Sequence, residues 1–526
     1  MPAATGTNSR EFHLGEFVRV LTDTQWVGFT LEITKAHRSP AGTGGMTEAQ
    51  LKADRGADVV GFRFTGSHTV NGVTRTLADY DMVLYFSIDD GNPDPAFAAE
   101  AEAIASYMES GHGFFATGDH ANLGSRLCGL IPRVRSMRRW WYPKPGPGGE
   151  PVAPDPLNAD RHDTTQPGLD GVRNFEDQSD EIAQPIAPTR YPAGLSNALV
   201  TRWLPHPLLC SPDGVVKYLP DHMHEGTCEV PGNLATRMFT LAGTPVREYP
   251  DHGASGPLAP EIVATGTVVA GTTSPALDAH HTGGTDSAHG TTFGVIAAWD
   301  GQRVGKGRVV VDSTWHHFFN INLTGDRYLE LDSLPSSQDQ KRHGFYVPDG
   351  MGGRQPNSQY KMIMWYYRNI IYWLIPANRH RTIWWDTILQ FATHSRISEE
   401  LVAFTRPTSL TLGSYLYLGQ LAEDYFAKAR GACAIYQFHV IINYLPKIPW
   451  WEWVQSHVDI WDPVLRDKGL SERVSNERFF AATGTGPRPD AALRISLGAA
   501  VAAAAAARKE HGAEVASVGP KLDDYL

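Results

Sequence analysis

Apolar positions in the first part of the chain fall into short continuous runs divided by a helical period. "YDMVLYFSIDDG" (80–91) is apolar until Asp89 and Asp90, and "GFFATGDHANLG" (113–124) is apolar until Gly118, Asp119 and His120. Between them, "PAFAAEAEAIASYMESG" (95–111) has the spacing and alanine content of a helix, with proline at its start and glycine at its end. A further apolar run, "GRVVVDSTWHHFFN" (307–320), ends in His316 and His317. Near-continuous apolar strands alternating with helices predict parallel strands covered on both faces. The expected fold class is therefore α/β, with ligands bound beyond the carboxyl ends of the strands.

The same reading predicts strands over 16–23 and 57–65 and a helix over 46–55. It predicts a hairpin turning at Asp300-Gly301 within 290–320, and a closing helix over 358–375. Residues 142–194 are rich in Pro, Gly and Asp and read as an insert, either a lid or substrate loop or a solvated excursion. Beyond Pro376 the strand signals fade, so the chain divides into an α/β region over 1–376 and a helical C-terminal region over 377–526.

Composition narrows the class of partner. The chain has 526 residues, 42% hydrophobic and 20% charged, with a formal net charge of −11 and no extended basic block. That disfavours nucleic-acid and anionic-membrane partners and favours a small-molecule substrate. The one local basic run, 132–141, reads as a solvated helix face. Four cysteines without CxxC spacing, and an N-terminus without a signal-peptide pattern, suit a cytoplasmic protein. The apolar stretches at 362–376 and 497–509 are shorter than a membrane span. The aromatic-rich C-terminal helices would suit a homo-oligomer interface.

Three His/acid clusters carry the candidate chemistry: Asp119-His120, Asp221-His222-Met223-His224-Glu225, and His316-His317, each at or near a predicted strand end. Imidazoles with carboxylates suit a divalent transition metal, zinc first. On an extended segment His222 and His224 share a face, so both rings can reach one ion. The expected ligands are His120, His222, His224 and His316, with Asp119, Glu225 and His317 moving protons. No cofactor-binding loop of the G-x-G-x-x-G or Walker type is present. Cys128, inside a predicted helix, reads as a packed small hydrophobe rather than a nucleophile.

Taken together, "YDMVLYFSIDDG", "AEAIASYMESGHGFFATGDHANLG" and "GKGRVVVDSTWHH" resemble the class I glutamine amidotransferase-like superfamily, nearest its trehalose-utilisation (ThuA-like) branch, with "HPLL" (206–209) ahead of "LPDHMHEG" in the matching order. The resemblance spans roughly 16–375. It implies a flavodoxin-like three-layer sandwich with a mostly parallel sheet and an inherited pocket. It also implies a link to carbohydrate chemistry and places the family's histidine at His316 or His317. The family's nucleophilic cysteine is replaced by Gly118-Asp119, so glutamine hydrolysis through a thioester is not expected. The expected function is a metal-dependent hydrolase of a small ester, amide or lactone. The alternatives are a metal-free acid–base enzyme on a sugar, with Asp119 and His317 shuttling protons and Trp140, Trp141 and Trp315 stacking on substrate, and a non-catalytic binding or assembly subunit.

Overall fold

A computed structural model describes residues 12–379, except 25, 27–28, 39–46, 90–92, 120–122, 140–163, 169–170, 176–182, 194–201, 212–213, 221–225, 269–290 and 326–343, together with Leu421. The expected C-terminal helical region therefore lies outside the described residues, as do Asp90, His120, Trp140, Trp141 and 221–225.

Nine strands build the central sheet: β1 (Met82–Phe86), β2 (Gly113–Thr117), β3 (Arg138–Arg139), β4 (Gln184–Pro188), β5 (Tyr218–Leu219), β6 (Thr227–Cys228), β7 (Glu261–Val268), β8 (Thr291–Trp299) and β9 (Val309–Asp312). The strand order is β5-β4-β7-β8-β9-β2-β1, and β6 pairs with both β8 and β3. Strands β1, β2 and β9 run parallel. The remaining pairings are antiparallel. The sheet is thus mixed rather than mostly parallel. The connection explains part of the difference: β8 and β9 are joined by the short turn Asp300–Arg308, and a link that short cannot reverse the chain into a parallel pair. The predicted hairpin at Asp300-Gly301 is present. The Pro-rich stretch at 142–194 is not all loop, because its end supplies β4 inside the sheet.

Both faces of the parallel strands are covered, fully at β2 and β9 and partly at the edge strand β1, as the unbroken apolar runs require. Val309 and Val311, with Phe114 and Ala116, pack into one core, and Val310 and Phe115 into the other. The helix α2 (Ala98–Glu109), crossing from β1 to β2, covers the first core through Ile104, Tyr107 and Met108. Its start is set by Asp94, whose side chain accepts from the Ala96 amide at 2.9 Å, and by Pro95. The second face is covered by α1 (Gly15–Asp23) and α4 (Ser358–Leu374). The latter begins where Asn357 Oδ1 accepts from the Tyr360 amide at 2.8 Å.

Two local readings are corrected. Residues 16–23 form α1 rather than a strand: Phe17, Val20 and Leu21 are each 2% exposed and sit at helical spacing against the second core. Valine's β propensity yields here to that tertiary burial. Residues 57–65 keep only a two-residue strand, Val59–Val60. The helix predicted at 46–55 is present as Glu48–Arg55, opened by a capping box between Thr47 and Gln50.

The basic run is a third correction, because it is buried. In 132–141, α3 (Val134–Met137) and its flanks place Arg133 and Arg138 at 0% and 1% exposure. Arg133 reaches Glu109 at 2.5 Å, donates through Nε to the Glu248 carbonyl at 2.9 Å, and lies over the Trp299 ring. A charged run is solvated only when no buried acid waits for it; here Glu109 and Glu248 do.

Candidate functional site

The three parallel strands end side by side, with Phe86 opposite Thr117 and Thr117 opposite Asp312. The residues that follow each strand are therefore gathered at one rim. After β1, Ser87 Oγ donates to the Asp89 carboxylate. Burial raises the pKa of that carboxyl from its ordinary value, against the Ser87 hydrogen bond and the Arg38 charge that lower it. After β2, the chain turns at Gly118-Asp119 and closes at Gly124, whose amide donates to the Asp89 carbonyl at 2.8 Å. Gly124 has a φ of +91°, and a Cβ there would lie 2.7 Å from the Ser87 carbonyl oxygen, so glycine is required for the loop to seat against β1.

After β9, a short side-chain-capped turn delivers the histidines. Asp312 Oδ1 accepts from the Thr314 amide at 3.1 Å, and Thr314 Oγ1 accepts from the His316 amide at 3.1 Å. A 3₁₀ turn, Trp315–His317, follows. It is pinned across the rim by the Trp315 amide, which donates to the Gly118 carbonyl at 2.9 Å.

Each ring then has a fixed partner at Nδ1. His317 Nδ1 lies 2.7 Å from Asp312 Oδ1, and His316 Nδ1 lies 2.9 Å from Asn322 Oδ1. A carboxylate accepts only, and with Asn322 Oδ1 accepting, both imidazoles carry hydrogen on Nδ1. In the neutral form of each ring, Nε2 then holds a lone pair. His316 Nε2 faces Asp119 Oδ1 at 3.6 Å, with both side chains at 0% exposure. His317 Nε2 is buried and has no hydrogen-bond partner among the described residues. An unmet buried polar atom costs about 1–3 kcal/mol.

The two histidine systems are joined by Thr314, whose hydroxyl lies 3.4 Å from Asp119 Oδ1. Beneath them, Arg138 donates through Nη2 to the Asp119 carbonyl at 2.8 Å and through Nε to the Ser313 carbonyl at 3.0 Å. Burial lowers the pKa of its guanidinium, while the charges of Asp119 and Asp312 raise it. Gly226 sits against this clamp: a Cβ there would lie 2.3 Å from Arg138 Nη2 and 2.6 Å from the Ser313 carbonyl oxygen.

Of the residues singled out by sequence, Asp119 and His316 are brought together, and His317 is turned to its own acid, Asp312. His120, His222, His224 and Glu225 lie outside the described residues. No group of three potential metal-ligating side chains is assembled among the described residues. Cys128 is fully buried, and burial pushes its thiol well above the usual range, in keeping with a packing role. Trp315 is 4% exposed and stacked on His316 between Phe12 and Phe319, inside an aromatic cluster rather than on a sugar-facing surface.

Sequence reasoning missed Asp312, Asn322, Tyr366 and Arg138. Asp312 had a visible signal, as the acid that ends an all-valine strand. Tyr366 had none: its hydroxyl donates to Asp312 Oδ2 at 2.6 Å from a helix whose pattern reads as pure core. No helix among the described residues is long and apolar enough to cross a membrane. No family profile, no curated protein and no solved structure matches this chain.

Proposed function

We propose that the chain is a metal-dependent hydrolase of a small ester, amide or lactone, working at the rim formed by β1, β2 and β9. One observation carries this reading. His316 Nε2 and the Asp119 carboxylate face each other at 3.6 Å, beyond a good hydrogen bond. Two acceptors held at that separation fit neighbouring ligands of one cation, since tetrahedral ligands about 2.0–2.1 Å from zinc stand roughly 3.4 Å apart. Asp119 and His316 would hold the ion. His120 follows Asp119 directly in the chain, and His222, His224 and Glu225 directly precede Gly226, which touches Arg138 and Ser313. These residues are the proposed remaining ligands and proton carrier.

Bound zinc supplies a Lewis acid and lowers the pKa of its water to about 7. The protein's own contributions are separate. Asn322 orients His316, Arg138 ties the β2 and β9 loops together, and His317 accepts a proton at Nε2. Burial of the whole rim strengthens each of these interactions.

The two buried sheet faces support a flavodoxin-like three-layer arrangement for the parallel half, as in the amidotransferase-like superfamily that the strand motifs resemble. The buried thiols of Cys128 and Cys228 accord with the proposed cytoplasmic setting.

The test is elemental analysis of protein purified without chelator, beside turnover of a p-nitrophenyl ester. About one equivalent of zinc or another transition metal, lost together with turnover in Asp119→Asn and His316→Ala, is expected. Metal below roughly a tenth of an equivalent ends this reading. The Asp312–His317 pair favours a second reading, a metal-free acid–base enzyme on a sugar; chelator-resistant turnover would select it.

A further inference from the structure

We propose that Asp312 is the positioning residue for His317, holding its ring hydrogen on Nδ1 so that Nε2 is the proton-accepting atom, and that Tyr366 and Thr314 fix the Asp312 carboxylate for that task. The inference rests on the reading of His317 as the base.

Every donor around Asp312 serves the same end. Oδ1 accepts from the Thr314 amide at 3.1 Å and lies 2.7 Å from His317 Nδ1, and Oδ2 accepts from Tyr366 at 2.6 Å. These contacts come from three directions: the strand's own turn, the 3₁₀ turn, and α4 across the second core. The carboxylate therefore has no freedom to rotate away. Asp312, His317 and Tyr366 are all fully buried, so water cannot replace any partner. The ring is also anchored from behind, because Tyr367 donates to the His317 carbonyl. Two adjacent tyrosines of one helix thus hold the acid and the backbone of a single histidine.

The two ring nitrogens of His317 are held differently. Its Nδ1 meets Asp312 Oδ1, and its Nε2 has no hydrogen-bond partner among the described residues. That asymmetry is the arrangement a carboxylate–histidine pair needs to act as a base, since the acid selects the tautomer and steadies the ring as it gains a proton.

The experiment uses full-length protein carrying ¹⁵N-histidine, stripped of metal by chelator and free of substrate. Long-range ¹H–¹⁵N spectra read which ring nitrogen bears hydrogen, and His317→Gln assigns the signal. In wild type, His317 is expected as the Nδ1–H form. Asp312→Asn should keep that form, because the Thr314 amide demands an acceptor oxygen at the Oδ1 position, which His317 then shares. Asp312→Ala should move His317 toward the Nε2–H form and lower kcat on a p-nitrophenyl ester about 10- to 100-fold, with little change in KM. Wild-type His317 with hydrogen on Nε2, or an unchanged tautomer in folded Asp312→Ala, overturns the proposal. If Asp312→Ala does not fold, the wild-type spectrum decides alone. Because the spectra need neither metal nor turnover, a protein that binds no metal but shows the Nδ1–H form would end the metal reading and leave this one standing.

Discussion

Arg138 joins two loops that the sequence keeps far apart: one guanidinium donates to the carbonyl of Asp119, after β2, and to that of Ser313, after β9. A buried cation that binds both backbone oxygens fixes the position of both loops while leaving the Asp119 side chain to face His316. The rim is thus held from below, and its acids and imidazoles remain turned to one another.

Substitution of Gly226 should damage the site more than the fold. A Cβ at this position would press on Arg138 Nη2 at 2.3 Å and on the Ser313 carbonyl at 2.6 Å, and the latter is backbone that cannot swing aside. Gly226→Ala is expected to retain a cooperative unfolding transition, with a stability loss of about 1–3 kcal/mol from overpacking. Metal content and ester turnover should fall sharply, as read by elemental analysis and steady-state kinetics.

Asn322 should matter through His316. Its Oδ1 lies 2.9 Å from His316 Nδ1, so Asn322→Ala frees the ring to rotate and to change tautomer. Loss of an outer hydrogen-bond partner of this kind typically costs about 10- to 100-fold in metal affinity. Competition with a chromophoric chelator measures it; an unchanged affinity would remove His316 from the ligand set.

Arg133 should be a costly charge to delete. It is 0% exposed, bound to Glu109 at 2.5 Å and packed over Trp299 at 4.2 Å. Its loss leaves Lys306 as the cation on buried Glu109 and frees the Glu248 carbonyl, which together cost up to about 3 kcal/mol. Urea denaturation of Arg133→Met should show this with the spectroscopic signature of the native fold retained, because the site itself does not touch Arg133.

Acid should destabilise the protein through a small set of carboxylates. Burial pushes the pKa of Glu109 upward, but Arg133 and Lys306 outweigh it and hold the group below its ordinary 4.5. Glu16 behaves likewise, with burial offset by Arg19, Tyr346 and Tyr360, and Asp300 is lowered by Arg308 against the same penalty. A folded pKa below the unfolded one stabilises fully above the unfolded value and is lost as pH falls through the folded one. The stability that these three carboxylates contribute should therefore be complete above about pH 5 and decline below about pH 4.5. In Glu109→Gln that decline should be shallower; a steeper one would contradict the sign.

The parallel half of the fold was legible because its strands are covered on both faces and so read as unbroken apolar runs: "MVLYF", "GFFAT" and "VVVD" are the strands found. The capped helices were legible for a similarly local reason, since Asp94, Pro95 and Thr47 act on neighbouring amides. The antiparallel half was not, apart from one hairpin. β5 and β6 are two-residue strands defined only by their partners, which no periodicity records. The strand assigned to 16–23 failed because Phe17, Val20 and Leu21 suit either structure until α4 is there to cover one helical face.

Residue types and chain order alone determined which side chains could do chemistry here, because an acid or imidazole at the end of an apolar strand must emerge at the sheet's rim. Tertiary structure decided which of them meet. It paired His316 with Asp119 and gave His317 to Asp312. It also buried an arginine-rich run that looks solvated in isolation. The reason is physical: tautomer, ionisation and burial depend on partners brought in by distant segments, and a Tyr366 hydroxyl or an Arg138 guanidinium carries no local mark of the group it will find.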